Sequence, residues 1–402
     1  MHRSLSGGLK TAGSLTLMMA LTLVVSPSHA LDPESMAEHI TVETLDNGLT
    51  LIVYERATAP VVSFFTHVDV GSAQEVPGIT GLAHMFEHMA FKGTTKIGTT
   101  NSGAEAKALE KVDRAYYALQ VEQQKIGGPD PEIINELEQA MLDAQEKANE
   151  YVKPNEFTEI IERSGGVGVN AFTNTDTTGY FYSLPANKVE LWAYLESERF
   201  VDPVFREFYK ERDVVQEERR MRTESNPFGR MLEQFQMTAF QAHPYKQPVV
   251  GYMSDLHSFT RGDAEAFYQT YYVPANMTIS VVGDVDAKTI MPMLRSYFGR
   301  LQAGPEPPPL RTVEPKAIAE KNVTLYDKSQ PLYVEGYHRP AATHPDDAVY
   351  DAIGNILSSG RTSRLYKSMV RDSKIAAQQG VFNGYPGTKY PHLVLFFAVP
   401  TP

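Results

Sequence analysis

Residues 104–152 constrain the fold more than any other stretch, because their apolar side chains keep a strictly helical spacing. Leu109, Val112, Tyr116 and Leu119 recur every third or fourth position, and so do Ile134, Leu137, Met141, Ala144 and Ala148. Gly127-Gly128-Pro129-Asp130-Pro131 breaks the pattern into two helices, a hairpin. Both halves are densely charged outside their stripes, so the hairpin reads as an inserted arm and not as a core element, with a coiled-coil partner surface as the alternative.

The flanks have strand character. After the turn Leu45-Asp46-Asn47-Gly48, residues 49–55 and 61–70 are rich in β-branched and aromatic types and read as paired strands. Residues 165–184 form two strands about an Asn/Thr/Asp turn, 277–282 a buried strand, and 80–91, 189–200 and 204–223 helices. Ala303-Gly304-Pro305-Glu306-Pro307-Pro308-Pro309 is a stiff linker. Beyond it, strands at 331–337 and 393–399 flank a helix opening at Pro345. The predicted class is α+β: a mixed, mostly antiparallel sheet with helices on one face, repeated as a second, incomplete domain, plus the inserted hairpin. The expected boundaries are 1–30 for a signal peptide, 31–303 for the first domain with the hairpin at 104–152, 304–310 for the linker and 311–402 for the second domain.

The signal peptide is expected from Arg3 and Lys10, the apolar run from Leu15 to Val25, and small residues ending at Ala30. It predicts an exported chain, periplasmic before secreted or membrane-anchored, with no stable membrane span once it is removed. The chain has no cysteine, so its stability owes nothing to disulfides, a thiol mechanism is excluded, and any metal must be held by His and carboxylates. With 49 Asp and Glu against 37 Lys and Arg, the balance argues against a nucleic-acid partner and for peptides or proteins.

His84-Met85-Phe86-Glu87-His88 carries the chemistry. Its imidazoles lie at i and i+4 and its carboxylate at i+3, so all three project from one face of a helix whose other side holds Leu82, Met85, Phe86 and Met89. Two neutral imidazoles one turn apart can share a tetrahedral Zn²⁺. The order H-x-x-E-H is the inverzincin signature. A catalytic site needs a third ligand and an open position. The helix at 204–223 offers Glu211 and Glu218 on its inward stripe, where the spacing asks for apolar residues and a carboxylate must be paired or bound to metal.

The segment 84–88 together with the downstream run Glu211-Arg212-Asp213-Val214-Val215-Gln216-Glu217-Glu218 resembles the pitrilysin/insulinase/mitochondrial-processing-peptidase family. The similarity extends through Gly165-Gly166-Val167-Gly168-Val169-Asn170-Ala171-Phe172-Thr173, His243-Pro244-Tyr245 and Gly283-Asp284-Val285, with a weaker match at 360–366. It implies a zinc endopeptidase with Glu218 as third ligand, Glu211 as supporting carboxylate, and an edge strand at Asn170 and Ala171 that pairs with the substrate. Glu87 is then the base that takes a proton from water and returns it to the leaving amine. The expected substrates are short or unfolded peptides. The resemblance leaves a homodimer and a heterodimer with a related chain both open, and a non-catalytic, partner-dependent subunit is the rival reading. Two features depart from the family pattern: the long interval between His88 and Glu218, which the hairpin explains, and the family's distal Arg and Tyr pair, which has no assigned position here and is expected beyond residue 402 or on another chain. A structural zinc site is a further alternative. His67, His243 and His257 are expected to be structural.

Overall fold

The computed structural model describes residues 33–401, so the expected signal peptide at 1–30 lies outside the described residues. Up to His39 the description holds one short helix, α1 (Pro33–Ala37). The unit from Ile40 opens with β1 (Ile40–Thr44), β2 (Thr50–Glu55) and β3 (Val61–Val68), followed by α2 (Leu82–Met89). The hairpin is α3 (Ser102–Gln123) and α4 (Pro131–Asn149), each with an Asn or Asp side chain capping its first turn. Then come α5 (Glu156–Arg163), β4 (Val167–Thr173), β5 (Thr178–Pro185), α6 (Val189–Val201) and α7 (Phe208–Arg219). The sequence continues with α8 (Pro227–Ala239), α9 (Met253–Ser258), α10 (Arg261–Tyr271), β6 (Met277–Gly283) and α11 (Ala287–Phe298). After an extended stretch at 302–332 come β7 (Tyr333–Arg339), α12 (Asp347–Ser358), β8 (Ala376–Tyr385) and β9 (His392–Pro400).

Two sheets result, a six-stranded one ordered β1-β2-β6-β3-β5-β4 and a three-stranded one ordered β7-β9-β8. Only β2 and β6 pair in parallel, so the mixed, mostly antiparallel α+β prediction holds. The pairing expected between 49–55 and 61–70 does not occur: β6 lies between β2 and β3. The β2–β3 connection arches over the end of β6, where Arg56 N–H donates to Gly283 O and Asp284 N–H to Val61 O. A Cβ on Gly283 would lie 2.2 Å from Val61 O, and its φ of 148° is in the range glycine tolerates best. Hydrophobic alternation identified each strand but cannot name its neighbour, and β6 arrives more than two hundred residues later.

Inward residues of β3, Val62, Phe64 and Val68, are buried at the two-residue period of a strand. Phe64 stacks on Trp192 of α6 with centroids 4.1 Å apart, and Phe298 of α11 closes the other side at 5.5 Å. The hairpin is more than an arm. Leu109, Val112, Tyr116, Leu119, Met141 and Ala148 belong to the same apolar core as the sheet. Its entry is locked by Arg206, 1% exposed, which pairs with Glu105 of α3 and donates to the carbonyls of Lys92, Thr94 and Ile97. That buried pair joins α3 to the loop after α2, so the insertion is a core element. No helix among the described residues is long and apolar enough to cross a membrane.

Candidate metal centre

Helix α2 starts where the chain can turn sharply. Gly81, at φ 97°, precedes its first residue, and a Cβ there would meet Val250 O at 2.8 Å. Glu75, fully buried, accepts from the free N–H groups of Gly81 and Ala83 at 2.8 and 2.7 Å, satisfying two donors that a helix start leaves open. Leu82, Met85, Phe86 and Met89 bury one face, and Phe86 packs among Phe205, Phe267, Tyr268 and Tyr272. The opposite face holds His84, Glu87 and His88.

Helix α7 crosses α2 with Phe208 and Val215 buried beneath it and brings Glu218 to both imidazoles. The Glu218 Oε2 atom lies 3.5 Å from His84 Nε2 and 3.5 Å from His88 Nε2. His84, His88 and Glu218 are the group of ligand-type residues whose donor atoms fall within 4.8 Å of one another among the described residues. Ligands at roughly 2.0–2.1 Å from a tetrahedral Zn²⁺ stand about 3.3–3.4 Å apart, so this spacing fits the ion. The donor set, two imidazole nitrogens and a carboxylate oxygen, fits it too. Arg222 holds the other Glu218 oxygen at 2.6 Å, leaving Oε2 for the histidines.

Glu211 stands one heptad earlier with Oε2 3.6 Å from His88 Nδ1 and Oε1 2.5 Å from Lys92 Nζ. A carboxylate behind a ligating imidazole fixes its orientation and raises its basicity. Burial lowers the His84 imidazole pKa, with the Glu218 charge opposing. Burial also works to lower His88, but hydrogen bonds to Glu211 and Glu218 outweigh it and leave that ring raised. The Glu87 carboxyl is raised by burial, against a hydrogen bond from Thr173 and the nearby His88.

Asn170 and Ala171 lie on β4, the sheet's outer strand, and line a cleft of about 390 Å³ with Glu87, His88, Phe91, Lys92 and the loop 152–155 at the hairpin base. All seven sequence-predicted site residues therefore gather at this cleft or the adjoining triad. His67, His243 and His257 stay apart from the triad. Sequence reading did not single out Glu75, Lys92, Thr173 or Arg222. Glu75 falls six residues before a helix start beginning with glycine, the one signal that points to a cap.

The insulinase model of peptidase family M16 matches residues 51–145 and 137–252, and the model for the M16 inactive domain matches 258–390. The chain belongs to the M16 insulinase family. As an M16 member it is 28% identical over 372 residues to a Helicobacter pylori protein named zinc protease PqqE, covering 90% of this chain and 70% of that one. A protein named probable mitochondrial-processing peptidase subunit beta from Arabidopsis thaliana is 23% identical over 345 residues, covering 84% of this chain and 53% of that one. In structure, a protease from Helicobacter pylori superposes with a TM-score of 0.71 at 27% identity, covering 90% of this chain and 75% of that one. The periplasmic protease PqqL from Escherichia coli shares the fold, with a TM-score of 0.62 at 21% identity over 90% of this chain and 36% of that one. The names of the sequence relatives support a peptidase role and zinc dependence.

Proposed function

We propose that the chain is a zinc-dependent endopeptidase in which His84, His88 and Glu218 hold the metal and Glu87 is the general base. The observation that carries this reading is the approach of two imidazole Nε2 atoms to one carboxylate oxygen, with Glu87 on the same helical face beside a free strand edge. Bound Zn²⁺ supplies Lewis acidity, polarising a peptide carbonyl and lowering the pKa of water towards about 7. Glu87 takes a proton from water at its carboxylate and gives it to the leaving amine nitrogen; burial, by raising its pKa, brings it nearer the value such a base needs. Glu211 holds the His88 ring. A peptide adds to the edge of β4 at Asn170 and Ala171, which recognises extended backbone before side-chain identity and favours short or unfolded substrates.

Export to the periplasm fits the leader at 1–30 and the periplasmic neighbour PqqL. The second reading is a subunit that needs a partner chain, a homodimer or a heterodimer. It draws support from the inactive-domain match at 258–390 and from the name of the Arabidopsis relative, a peptidase subunit. The test is cleavage of mixed unstructured peptides by the zinc-loaded protein and by Glu87→Gln, with zinc stoichiometry measured on both. Turnover that falls by about 10²–10⁴-fold in the variant at equal zinc content supports the proposal. Equal turnover sinks Glu87 as the base. Zinc bound without turnover by either protein favours the partner-dependent subunit or a structural metal.

A further inference from the structure

The three-stranded sheet contributes no ligand to the metal centre, yet its β8–β9 loop, residues 386–390, grips the turn that ends the substrate edge. That turn, 174–177, joins β4 to β5. Asp176 at its apex is 6% exposed and accepts three hydrogen bonds from outside its own hairpin. Thr388 N–H donates to Oδ2 at 2.7 Å, Lys389 N–H to the same oxygen at 3.1 Å, and Tyr245 Oη to Oδ1 at 2.6 Å. Tyr245, fully buried, in turn accepts from Tyr390 N–H at 3.1 Å, while Thr175 Oγ1 donates to Pro386 O at 3.1 Å. The loop passes too closely for any side chain at Gly387, where a Cβ would lie 2.5 Å from Asp176 Oδ2 and 2.7 Å from Tyr245 Oη. A buried carboxylate is tolerated only where such donors replace water, so the contact holds at both ends or at neither.

The other side of the turn is fixed to the six-stranded sheet's own domain. Ser72 N–H donates to Asn174 O at 3.2 Å and Ala73 N–H to Thr175 O at 2.9 Å. One residue earlier in the chain, Thr173 closes β4 and donates weakly, at 3.4 Å, to Ala83 O on α2. Hydrogen bonds therefore tie the 386–390 loop to Asp176 and its turn, the turn leads directly along the chain into Thr173, and Thr173 reaches Ala83 O on the helix that carries His84, Glu87 and His88.

We propose that Asp176 is a positioning residue through which the 386–390 loop sets the place of the β4 edge relative to α2, the helix that carries Glu87. The C-terminal sheet is then part of the peptide-docking apparatus although it supplies neither ligand nor base. A peptide pairing with β4 must present its scissile bond within a few tenths of an ångström of the right place, and a displacement of about 1 Å costs on the order of 10²-fold in rate. Loosening the turn moves the docking edge first and Glu87 second, so the loss falls mainly on KM.

The kinetic part of the proposal rests on the peptidase reading; the structural part does not. The variants are Asp176→Ala and Asp176→Asn in the full chain, loaded with zinc. Hydrogen exchange in Asp176→Ala is expected to quicken by about 10–100-fold in β4 while β3 and β6 keep their protection, the pattern of local opening. Zinc stoichiometry stays that of the parent, and kcat/KM falls about 10-fold with most of the change in KM. Asp176→Asn, which keeps one acceptor oxygen for Thr388 and Lys389, restores part of both effects. Unchanged β4 exchange overturns the proposal, as does quickening spread equally over β3 and β6, which marks general destabilisation. Should the parent itself prove inactive, the peptidase reading fails while the exchange comparison still decides the role of Asp176.

Discussion

Arg206→Met should destabilise the core around the six-stranded sheet far more than any surface change, and the structure gives the size. The guanidinium is 1% exposed and meets Glu105, also 1% exposed, through Nε at 2.7 Å and Nη2 at 3.1 Å. It also serves Thr94 O at 2.7 Å, Ile97 O at 3.0 Å and Lys92 O. Methionine keeps the stem's volume but abandons a buried carboxylate, worth about 3–5 kcal/mol, and three carbonyls at about 1 kcal/mol each. The expected loss is about 6–8 kcal/mol, a large part of the ordinary 5–15 kcal/mol of a domain. The double variant Glu105→Leu/Arg206→Met removes the stranded charge but not the stranded carbonyls, so it recovers about 3–5 kcal/mol of that loss. Trp192 is the chain's one tryptophan, fully buried in the core packed on the six-stranded sheet, so its fluorescence in urea reports the loss of that core. A single variant within about 1 kcal/mol of the parent, or a double variant no better than the single, refutes the reasoning.

Further outcomes follow from the centre and its supports. Glu211→Gln weakens the carboxylate behind His88 and should lower zinc affinity by about 10–100-fold, measured by competition with a chelator; parental affinity removes Glu211 from that role. Burial pushes the Glu75 carboxyl up to about 8, so between its unfolded value near 4.5 and that point the native form holds a proton that the unfolded chain has released. The contribution is full below about 4.5 and is lost as pH rises through about 8, so the parent's melting temperature should fall over that window relative to Glu75→Gln. Parallel melting curves for the two proteins across pH 5–8 contradict it.

The sequence showed the centre clearly because its chemistry is local. A helix that buries Leu82, Met85, Phe86 and Met89 must present His84, Glu87 and His88 together, and Glu211 and Glu218 betray themselves as charges on an inward stripe. Strand neighbours were hidden, because period-two alternation in β2 and β3 satisfies any partner and the true one, β6, is remote in the chain. The hairpin was misread for a related reason. Its surface charge was visible, but Glu105 gives no sign in sequence that Arg206, a hundred residues away, waits for it. Asp176 reads as an ordinary turn residue, and nothing in Asn174-Thr175-Asp176 announces a second sheet above it.

The irregularity in β4 sets a length scale. Pairing with β5 shifts register between Val167 and Asn170, and Gly168 takes a φ of 67°, so the strand is regular only over residues 170–173. At about 3.4 Å per residue that is an edge of roughly 14 Å. The edge offers regular pairing over about four residues and then bends, the kind of short, interrupted edge that discourages a second copy of the protein from extending the sheet.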